Sequence, residues 1–85
     1  MASLEQRIAA VMRAVLDYLE KHPNAVDSRR GVEYWVRDLP EAPSPEIVEA
    51  ALERLVERGE VEARGVAGTV LFGNVNRNRN KNEKT

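Results

Sequence analysis

The 85-residue chain carries 13 basic and 14 acidic side chains for a net charge of −1, with 42% hydrophobic residues and no cysteine. A chain of this size makes one small domain whose core needs nearly all of its apolar side chains, and it excludes a disulfide framework, a thiolate metal site and a cysteine nucleophile. No apolar run approaches the roughly 18 residues of a membrane span, and Glu5 and Gln6 behind Met1 do not make a signal peptide. The expectation is a cytoplasmic protein without a membrane partner.

Leu4, Ile8, Val11, Met12, Val15, Leu16 and Leu19 fall on one stripe of a 3.6-residue period. Ser3 followed three residues later by Gln6 is a capping-box signature, and Pro23 disfavours helix at His22. The spacing predicts a first helix over residues 4–21. After the turn at Pro23 and Asn24, Asp27 or Ser28 can cap a second helix with Val32, Trp35, Val36 and Leu39 on one side, ended by Pro40. Gly31 weakens that helix by about 1 kcal/mol relative to alanine, which suggests close packing against the first helix. Ser44, Pro45 and Glu46 combine a cap, a proline at the first helical position and an acid at the positive end of the dipole. A third helix is expected over residues 45–58, with Ile47, Val48, Ala51, Leu52, Leu55 and Val56 inward and Gly59 as its left-handed stop.

Beyond Gly59 the period changes to two. Val61 and Ala63 alternate with Glu60, Glu62 and Arg64, Gly65 to Gly68 make a turn, and Thr69 to Phe72 return as a second strand. An isolated hairpin is marginal in water, so this one should pack on the helices. From Asn74 the chain alternates asparagine with mostly basic residues. Arg77, Arg79, Lys81 and Lys84 against Glu83 give residues 74–85 a net +3, leaving −4 on residues 1–73. The division expected is a domain over 1–73 and a disordered basic tail over 74–85.

Helix, helix, proline-bearing turn, helix and two-stranded hairpin is an order that resembles the winged helix-turn-helix superfamily over roughly residues 4–73. Its most specific piece is Leu52, Leu55, Gly59 and Val61, an amphipathic third helix that ends in glycine and runs straight into a strand. The resemblance implies an α+β fold, a small winged helix of three helices followed by a two-stranded β-hairpin wing. It implies either DNA binding, with the third helix in the major groove, or protein binding on the same scaffold.

The solvent face of the third helix separates these two. It presents Glu46, Glu49, Ala50, Glu53, Arg54, Glu57 and Arg58, four carboxylates against two guanidiniums, whereas groove binding needs cations against phosphate. Glu49 with Glu53, and Glu53 with Glu57, are like-charge neighbours at i,i+4, and only Arg54 with Glu57 is favourably placed. The first expectation is therefore a non-enzymatic module that presents Glu46, Glu49, Glu53 and Glu57 to the basic patch of a protein partner, with Arg54 and Tyr34 as anchors. The alternative is a DNA-binding transcriptional regulator in which Arg29, Arg30, Arg64, Arg77, Arg79 and Lys81 hold the backbone. The hairpin tip, Gly65, Val66, Ala67 and Gly68, is short and neutral for that task.

Trp35 is expected in the core, Tyr34 partly outward, and Tyr18 at the edge of the first helix's stripe. His22 is the one histidine, with no second ligand, nucleophile pair or glycine-rich phosphate loop beside it, so neither catalysis nor a cofactor or metal is expected. A homodimer is a third expectation, formed if the stripe from Leu4 to Leu19 is wider than the other helices cover.

Overall fold

A computed structural model describes residues 2–75. The elements run α1 (Leu4–Lys21), β1 (Val26–Ser28), α2 (Arg29–Trp35), α3 (Pro45–Glu57), β2 (Val61–Val66) and β3 (Thr69–Asn74). Three helices pack with one three-stranded antiparallel sheet of order β1-β3-β2, which makes the fold α+β.

The capping chemistry sets the helix starts. The Ser3 hydroxyl accepts from the Gln6 amide N–H while the Gln6 side chain accepts from the Ser3 N–H, the reciprocal pair of a capping box. Ser44 accepts from the Ile47 N–H, with Pro45 opening the helix. At the end of α3, Gly59 takes φ +74°, its N–H donating to Val56 O and the Glu60 N–H to Leu55 O. That pair of bonds is a Schellman closure, and it turns the chain directly into β2.

The core is shared by all three helices. Ile8, Val11, Met12, Val15 and Leu19 of α1 meet Val32 of α2, Val36 just beyond it, and Ile47, Val48, Ala51, Leu52 and Leu55 of α3, closed by Val61 of β2. Leu4, expected on the α1 stripe, is instead 60% exposed, because the helix begins beyond the reach of its neighbours. Trp35 is half-buried against the core and lies flat on Tyr18, ring centroids 4.7 Å apart.

Further expectations need correction. The sheet has three strands: β1 pairs antiparallel with the end of β3, Val26 opposite Gly73 and Ser28 opposite Leu71, so the hairpin is fastened to the body along β3 as well as by packing. The second helix stops at Trp35 instead of reaching Leu39. Past it the chain tightens, Arg37 N–H donating to Tyr34 O and Leu39 N–H to Val36 O, the i→i−3 pattern expected where Pro40 forbids helix at the residue before it. Gly31 does not serve helix packing. A side chain there would occupy the volume of the Asp27 carboxylate, which accepts from the Ser28 N–H and sits over the start of α2. The hairpin turn is Ala67 and Gly68 alone, since Gly65 pairs with Val70 and Val66 with Thr69. Both turn residues have positive φ, +50° and +82°, as a two-residue type I′ turn requires.

β3 runs one residue into the stretch assigned to the tail. The Asn74 side-chain amide donates to Leu19 O and Pro23 O, at 3.2 and 3.1 Å, tying the end of the sheet to the end of α1. The remainder of that stretch, from residue 76, lies outside the described residues.

Candidate functional site

Successive residues of a helix turn by about 100°, so Glu46, Glu49, Glu53 and Glu57 fall within an arc of about 80°, opposite the buried Val48, Ala51 and Leu55. All four are exposed. They follow one another at i,i+3, i,i+4 and i,i+4, so the acids form an unbroken ridge about 16 Å long at 1.5 Å rise per residue.

Arg54 leaves that ridge. Its guanidinium reaches α1 and holds the Glu5 carboxylate through two parallel N–H donors, Nη1 to Oε1 at 2.7 Å and Nη2 to Oε2 at 2.8 Å. Hydrogen bonding to Arg54, reinforced by its charge, keeps the Glu5 carboxyl below the usual carboxylate range. The fork spans two helices, and Glu57, at i,i+3 from Arg54 as the sequence placed it, adds a smaller attraction to the same guanidinium. Arg58, the other cation of this stretch, turns to Glu60 at 3.7 Å. Both guanidiniums that could offset the ridge thus make their ion pairs with carboxylates beyond it. Tyr34 stands on α2, 67% exposed, on a separate element from the acids.

The basic positions are divided differently. Arg29 pairs with Glu33 one turn along α2, and Arg64 with Glu62 on the same face of β2 at 3.2 Å. Arg30 is exposed. Arg77, Arg79 and Lys81 lie outside the described residues. Two of the three described arginines proposed for phosphate are therefore neutralised by their own neighbours, which lowers their attraction for a polyanion.

Among the described residues no group of three or more His, Asp or Glu is placed to hold a metal ion, because the ridge carboxylates diverge from a convex surface. The His22 ring lies 4.5 Å from that of Tyr18 and packs on it at the end of α1. One concave feature was not foreseen: a groove of about 210 Å³ between α1 and the proline-bearing turn, lined by Ala10, Val11, Leu39 and Pro43 and rimmed by the Arg7–Glu41 ion pair. Its lining comes from residues some 30 positions apart, with no local pattern to announce it. No helix among the described residues is long and apolar enough to cross a membrane. No protein-family model, no curated protein and no solved structure matches this chain.

Proposed function

We propose that this chain is a non-catalytic binding module of the winged-helix type, acting in the cytoplasm, and that α3 docks on the basic patch of a protein partner. The winged-helix reading is supported by the order α1, α2, α3 and terminal hairpin, with α3 closing at Gly59 and leading directly into β2. The observation that carries the function is the ridge of Glu46, Glu49, Glu53 and Glu57 with Arg54 drawn off it to Glu5. A surface of that charge repels a phosphate backbone and attracts lysine and arginine, and the paired states of Arg29 and Arg64 weigh in the same direction.

The test is a pair of amide-shift titrations at low salt, one with an arginine- and lysine-rich peptide and one with mixed-sequence duplex DNA. The peptide should shift Glu46 through Glu57, and Glu49→Lys should abolish the response. Shifts of α3 and the hairpin on adding DNA, with none from the peptide, would overturn the proposal in favour of nucleic-acid binding through Arg29, Arg30 and Arg64.

A further inference from the structure

The sheet order leaves β2 at an edge, with six residues, Val61 to Val66, and a side facing away from β3 that pairs with no strand among the described residues. Edges of that length are normally guarded by charged side chains, proline or a bulge; this one has no lysine, proline or bulge, and its two charges, Glu62 and Arg64, are opposite in sign and pair with each other. Ala63, Arg64, Gly65 and Val66 are all exposed.

The pairing pattern shows which backbone groups are open. The type I′ turn at Ala67 and Gly68 makes Val66 and Thr69 the hydrogen-bonded pair that closes the hairpin. In an antiparallel ladder such pairs alternate, so Val66, Arg64 and Glu62 spend their N–H and C=O groups on β3. Val61, Ala63 and Gly65 direct theirs to the open edge.

We propose that this edge pairs with β2 of a second copy, antiparallel, about a twofold axis at Ala63. In that register Ala63 exchanges both backbone bonds with its symmetry mate, Val61 stands opposite Gly65, and Glu62 stands opposite Arg64 on each side of the axis. The charge pattern selects the register. Centring the pair on Glu62 or on Arg64 sets identical charges opposite each other, and centring on Val61 sets Glu60 against Glu62. Only the Ala63 axis turns the Glu62–Arg64 pair found within one strand into two cross-strand pairs. The two three-stranded sheets then form one continuous six-stranded sheet. This surface is separate from the α3 ridge and does not depend on the function proposed for it.

Sedimentation equilibrium of the full chain over a concentration series tests the proposal. A monomer–dimer equilibrium is expected. Arg64→Glu should weaken it at least about tenfold, because two attractive cross-strand pairs become repulsive, and the combined Glu62→Arg and Arg64→Glu exchange should restore it. Ala63→Pro removes the outward N–H without touching the β2–β3 ladder and should leave a monomer with an unchanged far-ultraviolet spectrum. If that variant loses the hairpin, the two charge variants carry the test alone. A chain that stays monomeric throughout, or a dimer indifferent to Arg64→Glu, overturns the proposal, and failure of the exchange to restore association overturns the register.

Discussion

Gly59 and Ala67 both sit in left-handed backbone, and only one of them is a glycine. At Gly59 no neighbouring atom would meet an added Cβ, so the cost of Gly59→Ala is purely conformational. A loss of about 1 kcal/mol is expected, read as a lower midpoint in urea with an unchanged slope. Ala67 runs the argument backwards. Ala67→Asn or Ala67→Gly should stabilise the hairpin by roughly 0.5 kcal/mol, because asparagine and glycine accept the first position of a type I′ turn that alanine resists. The residue scale is also where the sequence was hardest to read. Glycines at both ends of the stretch Gly65 to Gly68 point to a loop, and only the pairing with β3 shows that Gly65 and Val66 belong to the strand. The carboxylate that claims Arg54 lies 49 residues away on another helix, beyond any periodicity argument. Asn74 was hidden by its company, the first member of an alternating asparagine run, although its amide bridges to the end of α1.

Among the elements, α1 and α3 were legible because each combines a long amphipathic stripe with explicit cap residues, and two signals that agree fix both type and start. β1 carries neither. Three residues are too few to show a period of two, and their partners on β3 lie more than 40 positions further on. The acidic ridge was legible in full, since it follows from which face of α3 is buried. Removing the Asn74 amide leaves Leu19 O and Pro23 O without its two donors, and Asn74→Ala should cost about 1–2 kcal/mol in denaturant unfolding. The contact between α1 and α3 has a pH signature. The folded protein holds Glu5 below its ordinary value of 4.5, so the fork contributes above that value and is lost as pH falls through the lowered one. Stability should decline with acidification below about pH 4.5, and Glu5→Gln should flatten that part of the profile, measured by thermal midpoints across a pH series.

For the molecule as a whole, the ridge is a cost in isolation. Glu53 stands one turn from both Glu49 and Glu57, so Glu53→Lys converts two repulsive i,i+4 pairs into attractive ones and should raise stability by roughly 0.5–1 kcal/mol at low salt. The same variant should lose the basic-peptide response described above, and a protein that gains stability while losing binding is the behaviour of a surface shaped by its partner. A variant that gains stability and binds unchanged would show the ridge to be an ordinary solvated face. The Asn74 tie also decides how the polypeptide can be rewired. It holds the end of β3 beside Leu19, whereas Leu4 lies 15 residues back along α1, about 22 Å away at the helical rise. Leu4 and Asn74 are therefore at opposite ends of the longest helix. A circular permutant needs at least about seven extended residues between Asn74 and Leu4 to span that distance, and the residues that flank them in the sequence can supply the length.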